Sequence, residues 1–301
     1  MSVIQVDHIS KSFGTTHAVQ DISFSLHAGE IIGLLGPNGA GKTTTIRMIL
    51  DILKPDKGNI AVLGGEMNEE KKNLIGYLPE ERGLYQDITL EKCLGYLASI
   101  KGMQKEQISV RLEELLRRFN LAEYRNKKVK ALSKGMQQKA QLISTFIHKP
   151  KLVIVDEPFS ALDPVNTKVV KELLFEERAA GTAIMMSTHQ MNQAEEMCER
   201  IILINKGRIL LNGVLEEVRR RFASNDLIVR TSQDIPADIP GVTSVSKFNH
   251  HIRLTVEEGL DANSVLGELI RRGIEIEHFS IATPTLNEIF ISAIEEASRE
   301  K

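Results

Sequence analysis

The residues with the most specific chemical meaning form one consecutive stretch, Gly36 to Thr43, which reads Gly-Pro-Asn-Gly-Ala-Gly-Lys-Thr. This stretch satisfies the pattern G-x-x-x-x-G-K-[ST], in which glycines let the backbone turn tightly and point successive N–H groups at phosphate oxygens. The lysine of the pattern reaches the β and γ phosphates, and its final hydroxyl holds Mg²⁺. The sequence therefore predicts that a nucleoside triphosphate is bound by Gly36, Pro37, Asn38, Gly39, Ala40, Gly41, Lys42, Thr43 and Thr44.

A strand and a helix must flank such a loop, and the sequence supplies both. Ile31–Leu35 is an apolar run of strand length, and Lys42–Leu50 has a helical pattern. Short apolar strands that alternate with helices predict a mostly parallel sheet covered on both faces. The other segments that fit this alternation are the strand-like Ile22–Leu26, Leu152–Val155 and Ala183–Ser187 and the helical Pro164–Ala179 and Gln190–Cys198.

Two adjacent carboxylates follow one of the predicted strands. Asp156 and Glu157 come directly after Leu152–Val155, at the end of the strand where ligands of α/β sheets bind. Behind a phosphate loop, Asp156 is suited to the Mg²⁺ shell and Glu157 to polarising the attacking water. Successive side chains of an extended strand point to opposite faces, which would separate the metal role from the base role.

The strand pattern stops between about residues 88 and 148. Apolar residues there fall at helical spacing, which predicts an all-helical subdomain inserted into the α/β core. They are Leu90, Cys93, Leu94, Leu97, Ile100, Ile108, Leu112, Leu115, Leu116 and Phe119.

Composition limits the class of protein. The chain has 301 residues, of which 42% are hydrophobic and 26% charged, so a sizeable core can form and wholesale disorder is excluded. It carries 38 lysines and arginines against 40 acidic residues, so it has no cationic excess for coating nucleic acid. We therefore expect no nucleic-acid partner.

The cysteines and the apolar runs indicate where the protein works. Cys93 and Cys198 are too few for a disulfide framework, which fits a reducing cytoplasm. The first residues lack the apolar segment of a signal peptide, and no run approaches the roughly 18 apolar residues of a membrane helix. If the protein acts at a membrane, we expect another chain to span it.

Charge is divided unevenly along the chain. Residues 225–301 contain 13 acidic and seven basic residues, and the basic run before Ala223 marks a boundary near 222–226. We therefore predict domains at 1–222 and 225–301. In the second domain, a small α+β fold is predicted from strand-like Leu227–Arg230, Val242–Phe248, Ile252–Val256 and Ile274–Ser280 and helical Ala262–Arg272 and Leu286–Ala297.

Further segments resemble one particular family. Leu132–Gln138, which reads Leu-Ser-Lys-Gly-Met-Gln-Gln, resembles the LSGGQ signature of the ATP-binding cassette (ABC) ATPases. Gly76–Glu80 resembles the Q-loop of that family, Ser160–Pro164 its D-loop, and Thr188-His189 its switch histidine. These elements occur in the family's order across residues 1–222, so the resemblance covers nearly three quarters of the chain.

The resemblance implies a P-loop NTPase core with a mixed sheet and a helical subdomain, and it implies ATP and Mg²⁺ as ligands. It assigns catalysis to Glu157 and His189 and metal binding to Thr43, Asp156 and Glu80. In the family each ATP lies between the phosphate loop of one subunit and the signature of another. The resemblance therefore implies a head-to-tail homodimer in which Ser133 and Gly135 bind the nucleotide of the facing copy.

Four positions depart from the family pattern, and one of them is Met136, which replaces the signature glutamine. Phe13 stands where the family usually stacks a tyrosine on adenine, and a phenyl ring can still stack. Glu80 replaces the usual Q-loop glutamine; its carboxylate can accept from a Mg²⁺-bound water but adds negative charge. Lys134 replaces a signature glycine, and its charge is directed either at the γ phosphate or at solvent.

The segments around 78–85 and 132–139 and the run Ala282–Phe290 resemble ATPase subunits of bacterial sodium and drug exporters. Such a subunit energises a separate membrane permease and is cytoplasmic, peripheral to the membrane through that permease. We expect the helices around 88–120, and Leu84–Ala98 in particular, to dock the permease. Two alternatives stay open: a soluble ABC-type ATPase acting on nucleic acid in repair or translation, and a nucleotide-binding regulator without turnover.

Overall fold

The computed structural model describes residues 2–81, 83–223, 226–248, 251–257 and 259–299. The chain forms a first compact unit that runs to Leu215 and includes the residues from Glu296 onward, and a second unit, Glu216–Glu295. The boundary near 222–226 and the domains 1–222 and 225–301 stay predictions. Across the described residues, no helix has both the length and the hydrophobicity needed to span a bilayer.

The elements of the first unit alternate as the sequence predicts. Its strands are β1 (Ser2–Phe13), β2 (Thr16–His27), β3 (Ile31–Leu35), β4 (Lys57–Val62), β5 (Ile75–Leu78), β6 (Leu152–Asp156), β7 (Ala183–Thr188), β8 (Arg200–Asn205) and β9 (Arg208–Val214). Its helices are α1 (Lys42–Ile49), α2 (Glu69–Lys72), α3 (Leu90–Ile100), α4 (Lys105–Arg118), α5 (Lys134–Phe146), α6 (Pro164–Ala179) and α7 (Met191–Met197).

A mixed sheet forms the centre of this unit. Within the described residues it has six strands in the order β5-β6-β7-β3-β8-β9, of which only β9 runs antiparallel to its neighbour. Every residue of β3, β6 and β7 is buried, as expected for parallel strands covered on both faces. The prediction of a mixed, largely parallel sheet is confirmed.

A second, antiparallel sheet of order β2-β1-β4 covers the central sheet together with α1. Their shared core includes Ile4, Ile22 and Leu26 from the small sheet and Ile46 from α1, all of them fully or almost fully buried. Only Ile22–Leu26 of this sheet is predicted as a strand from the sequence, because β1 and β4 pair across about fifty residues of chain.

The helical subdomain contains α3, α4 and α5, and no named strand occurs between Leu90 and Phe146, all of which are described. Leu94 on α3 and Leu115 on α4, which belong to the predicted apolar stripes, are fully buried. Leu142 on α5 is fully buried as well, so all three helices contribute apolar side chains to the core. The all-helical insert is confirmed.

The elements that follow are α8 (Leu215–Arg221), β10 (Asp226–Arg230), β11 (Val242–Phe248), β12 (His251–Val256), α9 (Ala262–Arg271), β13 (His278–Ile281) and α10 (Leu286–Arg299). The second unit contains α8 from Glu216 and α10 as far as Glu295. In the described residues its strands form an antiparallel sheet of order β11-β12-β10-β13. Val265 and Leu269 of α9 pack on the sheet residues Leu227 and Leu254, which gives the predicted small α+β fold.

The strand predicted at Ile274–Ser280 begins later in the structure. Gly273 adopts a left-handed φ of 79°, and the Ile274 N–H donates to the Leu269 carbonyl at 3.1 Å, so these residues complete the turn out of α9. Pairing with β10 starts only at His278. The apolar alternation of Ile274 and Ile276 therefore reflects core contacts rather than a strand.

A partly buried pair of basic residues lies beside β5. The Lys101 ammonium donates to the carbonyls of Lys72 at 2.6 Å and Ile75 at 3.0 Å. The ring Nε2 of His148 lies 3.2 Å from the same Ile75 carbonyl, so it acts as the donor there. Burial, assisted by the Lys101 charge, lowers the pKa of His148 to about 4.

This histidine should make the first unit less stable as the pH falls. The ordinary pKa is 6.5 and the folded value about 4, so between these values the unfolded chain holds more protons. We expect the free energy of unfolding to fall by about 3 kcal/mol across that window. In His148→Gln this part of the pH dependence should disappear, as measured by urea unfolding from about pH 7 to about pH 4.5.

His8 provides a control of opposite sign. Its pKa is raised, first by the hydrogen bond to Asp21, so its contribution is complete below the unfolded pKa and is lost as the pH rises through the folded value. His8→Gln should therefore steepen the acid loss of stability. An unchanged pH profile in His148→Gln would contradict the assignment.

Candidate active site

The phosphate loop is fixed between two other parts of the first unit. Gly36 has a φ of 150°, and a Cβ atom there would lie 2.1 Å from the Ile204 carbonyl at the end of β8. Gly41 has a φ of 109°, and a Cβ atom there would lie 2.5 Å from the Ala18 carbonyl of β2. Glycine is therefore required at both positions by backbone conformation and by space.

The first turn of α1 is suited to an anion. Its N-cap residue is Gly41, no side chain caps the first turn, and that turn contains no acidic residue. The first N–H groups of a helix have no partner within the helix and carry a partial positive charge. A phosphate group at this end of α1 can accept hydrogen bonds from these N–H groups and balance their partial positive charge.

Lys42 is buried beside the loop, with 7% of its surface exposed. Its Nζ donates to the carbonyls of Gly36 at 2.7 Å and Pro37 at 3.1 Å. An ammonium group has three donors, so one is available to a phosphate oxygen. Burial lowers the pKa of Lys42, and the negative charges of Glu157, Asp156 and Glu80 oppose this shift.

Thr43 and Asp156 meet at the end of β6. The Thr43 hydroxyl lies 3.4 Å from Asp156 Oδ2, and the carboxylate is 3% exposed. Burial raises the pKa of Asp156, the negative charges of Glu80 and Glu157 raise it further, and the positive charge of Lys42 opposes them. The surroundings of Asp156 disfavour its negative charge, and a bound cation would stabilise the ionised carboxylate.

The donor atoms fit Mg²⁺, which prefers oxygen ligands and keeps several waters beside one or two carboxylates and substrate phosphates. Thr43 and Asp156 would hold it, with Glu80 lining the same cavity. In the part of the chain that the structure describes, no three His, Cys, Asp or Glu side chains form a cage of their own. This agrees with a metal bound jointly by protein and nucleotide.

Glu157 does not continue strand β6. Its φ is 50°, so it adopts a left-handed conformation, and its N–H donates to the Ser187 carbonyl at 2.9 Å. Its Oε1 accepts from the His189 N–H at 2.8 Å and lies 2.6 Å from His189 Nδ1. Its Oε2 accepts from the Thr188 hydroxyl at 3.0 Å. The conformation of Glu157 is therefore set by this turn and not by strand alternation.

These groups line one cavity of about 630 Å³. Of the residues predicted from the sequence, those lining it are Asn38, Gly39, Ala40, Gly41, Lys42, Thr43, Thr44, Glu80, Asp156 and Glu157. Gly36 and Pro37 contribute carbonyls to Lys42, and His189 contacts Glu157. The sequence interpretation missed Thr16, His17, Ala18, Gln20 and Lys206, which also line the cavity.

Besides Gly36 and Pro37, three predicted nucleotide ligands are not among the lining residues. Phe13 is 49% exposed and ends β1, just before the lining residues Thr16 and His17. Ser133 is the N-cap of α5 and accepts from the Met136 N–H at 3.2 Å, as predicted for an N-cap. Gly135 lies in the same turn, where an added Cβ would be 3.1 Å from the Ala161 carbonyl.

A phosphate loop between a parallel strand and a helix, with an Asp-Glu pair at the end of another strand of the same sheet, defines a P-loop NTPase. Residues 19–160 match the family described as "ABC transporter". Residues 213–294 match "ATP-binding protein DrrA1-3-like, C-terminal domain". The chain belongs to the family of ABC transporter ATP-binding proteins.

Individual relatives agree with this assignment. The chain is 38% identical over 294 residues to the uncharacterized ABC transporter ATP-binding protein YhaQ of Bacillus subtilis (strain 168), covering 97% of this chain and 98% of the relative. It is 30% identical over 303 residues to the linearmycin resistance ATP-binding protein LnrL of the same strain, covering 96% and 97%. A solved ATP-binding subunit of an ABC transporter has a TM-score of 0.70 and 34% identity, covering 73% of this chain and 93% of that one.

Membership of this family establishes the general function of the chain. The chain is an ATP-binding subunit of a transporter, and it is an ATPase whose hydrolysis of ATP is coupled to transport. Its partner is a membrane permease. Of the functions that the sequence left open, the transporter subunit is the one that the relatives support.

Proposed function

We propose that this chain hydrolyses Mg²⁺-bound ATP through Glu157 as general base and so drives a separate permease that exports sodium ions or drug-like, lipophilic compounds. The observation that carries the proposal is the convergence of Lys42, Thr43, Asp156 and Glu157 on one cavity. The α1 N-terminus and Lys42 bind the phosphates. Thr43, Asp156 and Glu80 hold Mg²⁺, which supplies charge compensation at the phosphates.

Glu157 then acts on the attacking water. Its carboxylate lines the cavity and lies at hydrogen-bond distance from His189. If His189 is neutral and donates from Nδ1 to Glu157, its Nε2 is an acceptor; a ring protonated on both nitrogens donates from Nε2 as well. Only a ring with protons on both nitrogens can donate to Glu157 from Nδ1 and to a γ phosphate from Nε2 at the same time. We assign His189 this positioning role.

Two copies of the chain pair head to tail in this proposal. Ser133 and Gly135 lie at the start of α5 and do not line the chain's own cavity, which leaves this turn for a nucleotide held by a facing copy. Lys134 in the same turn is exposed, as is suitable for a residue at such a contact. The resemblance of this segment to the ABC signature supports the pairing.

The export direction is argued from resemblance. LnrL, which the chain matches over almost its full length, is named for linearmycin resistance, and resistance to a compound is commonly achieved by its removal from the cell. The C-terminal unit matches a domain described from DrrA1-3-like ATP-binding proteins. In this proposal the chain lies at the cytoplasmic face of the membrane, held there by the permease.

An exposed apolar patch offers the docking surface for the permease. Tyr85 and Tyr96 are each about half exposed, and their rings make an edge-to-face contact with centroids 5.6 Å apart. Ile100, one helical turn beyond Tyr96 on α3, is 53% exposed, and Ile88 is 37% exposed. We call these four residues the tyrosine patch. The sequence predicts Leu84–Ala98 as the contact with the permease. Three residues of the tyrosine patch lie within that segment, and Ile100 lies just beyond it.

Truncating the tyrosine patch should uncouple the chain from its permease. In Tyr85→Ala/Tyr96→Ala, binding to the partner permease should weaken about 30-fold, since buried aromatic anchors contribute about 2 kcal/mol or more. ATP turnover of the chain alone should be unchanged. Binding is measured with the permease in detergent, and ATP-driven movement of sodium or of a lipophilic dye is measured in reconstituted vesicles.

Ile52→Ala is the matched control, because Ile52 follows α1, is 60% exposed and lies outside the helices around 88–120. It should leave binding and transport unchanged. Normal permease binding by the double tyrosine variant would remove the patch as the docking surface. ATP-driven uptake of neither test substrate by an intact, ATP-hydrolysing complex would count against the proposed substrate classes.

A further inference from the structure

The Thr188 hydroxyl is a buried polar group that the proposed catalytic roles do not use. Thr188 is the last residue of β7, is 1% exposed, and pairs with Leu35, the residue just before the phosphate loop. Its Oγ1 lies 3.0 Å from Glu157 Oε2 and 3.0 Å from the backbone nitrogen of Gln190. The hydroxyl therefore bridges the catalytic carboxylate and the turn that carries the switch histidine.

The direction of these two hydrogen bonds is fixed by chemistry. A backbone N–H can only donate, so the Gln190 amide occupies a lone pair of the Thr188 oxygen. The hydroxyl proton is then directed to Glu157 Oε2, which as a carboxylate oxygen can only accept. A hydrogen bond from a neutral donor to an ionised group is stronger than one between two neutral groups.

The two oxygens of Glu157 are not equivalent. Oε1 receives the His189 N–H at 2.8 Å and faces His189 Nδ1 at 2.6 Å, which uses both of its lone pairs when that nitrogen is protonated. Oε2 receives only the Thr188 hydroxyl among the hydrogen bonds of the described residues. It therefore retains a lone pair, and Glu157 lines the nucleotide cavity.

We propose that Oε2 of Glu157 is the oxygen that takes the proton from the attacking water, and that Thr188 is the positioning residue that orients it. The inference rests on the proposed role of Glu157 as general base. The proton passes from water to Oε2 as the water oxygen bonds to the γ phosphorus and the bond to the leaving ADP oxygen breaks. Thr188 keeps its own proton throughout and fixes the direction of the remaining lone pair.

Thr188→Val tests this role, because valine keeps the shape of threonine and lacks the hydroxyl. In the full-length chain we expect kcat for ATP to fall about 10- to 100-fold, with KM within about twofold of the natural chain, because only the base is misdirected. Thr188→Ser keeps a hydroxyl and should restore most of kcat. Thr188→Ala, which cannot clash, repeats the measurement should the valine variant fold poorly.

Thr182→Val is the matched control. Thr182 precedes β7 and is 6% exposed. Its hydroxyl donates to the Pro150 carbonyl at 3.2 Å and makes no hydrogen bond to Glu157. It also loses one buried hydrogen bond, but kcat should not change. A purely structural role for Thr188 would instead make the two valine variants lose stability and activity alike.

The outcomes separate this inference from the proposed function. In a Glu157→Gln background, Thr188→Val should reduce kcat no further, since both changes act through one carboxylate. Full activity of Thr188→Val, or no rescue by serine, would overturn the positioning role while an inactive Glu157→Gln leaves the base in place. Full activity of Glu157→Gln would overturn the proposed function itself.

Discussion

Glu157→Gln should almost abolish ATP hydrolysis while ATP still binds. Glutamine keeps the size of the side chain but cannot accept the proton of the attacking water, and loss of a positioned general base typically lowers the rate about 100- to 10,000-fold. The phosphate ligands Lys42 and the α1 N-terminus are unchanged, so affinity should be nearly normal. Phosphate release measures turnover, and calorimetry with Mg²⁺-bound ATP measures binding.

The same variant should reveal the proposed pairing of two copies. If ATP closes the dimer and hydrolysis reopens it, stalling hydrolysis should trap the closed form, and the apparent mass in size-exclusion chromatography with ATP should double. A chain that stays single under these conditions would contradict the head-to-tail dimer. Normal turnover by Glu157→Gln would remove Glu157 as the base.

Glu177→Gln is the control for removing a buried carboxylate. Burial raises the pKa of Glu177, and its carboxylate lies 3.2 Å from the Arg111 guanidinium, outside the nucleotide cavity. The substitution should alter stability without changing kcat. A comparable loss of turnover in both variants would indicate general damage to the fold.

The strand, loop and helix around Gly36–Thr43 could be predicted from the sequence because their requirements are local. Gly36 and Gly41 must adopt positive φ, and Lys42 must follow the second of them, all within one short segment. The flanking strand and helix are equally local, since β3 and α1 follow from short-range apolar patterns. A binding loop formed by consecutive residues can therefore be predicted from the sequence before any tertiary contact is known.

The rest of the cavity depends on contacts between distant segments. Lys206 lines it because β8 pairs in parallel with β3, and because the Gly207 N–H in the same turn donates to the Ala40 carbonyl at 2.9 Å. His17 and Gln20 line it because β2 passes beside the loop. No spacing rule connects these residues to the motif, so sequence patterns could not assign them.

Glu157 shows a different limit. Strand alternation was the basis for separating the roles of Asp156 and Glu157, and it assumed an extended conformation that Glu157 does not have. A non-glycine residue in the left-handed region costs roughly 1–2 kcal/mol, and here the Ser187, Thr188 and His189 contacts hold it. The approach of His189 to the carboxylate follows from this turn, so it required the structure.

Lys42→Ala should weaken ATP binding about 10- to 100-fold, which is the range for losing a hydrogen bond to a charged group. The Lys42 ammonium has a lowered pKa because burial outweighs three nearby carboxylates, so the fold disfavours its charged form. A charged group in surroundings that disfavour its charge contributes more to ligand binding than to the stability of the fold. We therefore expect affinity to fall with little loss of stability, as measured by calorimetry and by thermal unfolding without nucleotide.

Lys101→Ala separates the loss of a buried lysine from the loss of a phosphate ligand. Like Lys42, Lys101 has a pKa lowered by burial and donates to two backbone carbonyls, but it does not line the nucleotide cavity. Its removal should leave ATP affinity within about twofold of the natural chain, as measured by calorimetry. Equal affinity for ATP in Lys42→Ala and the natural chain would mean that the triphosphate is held without this ammonium. In that case the helix N-terminus and the backbone N–H groups of the loop would have to supply the binding energy.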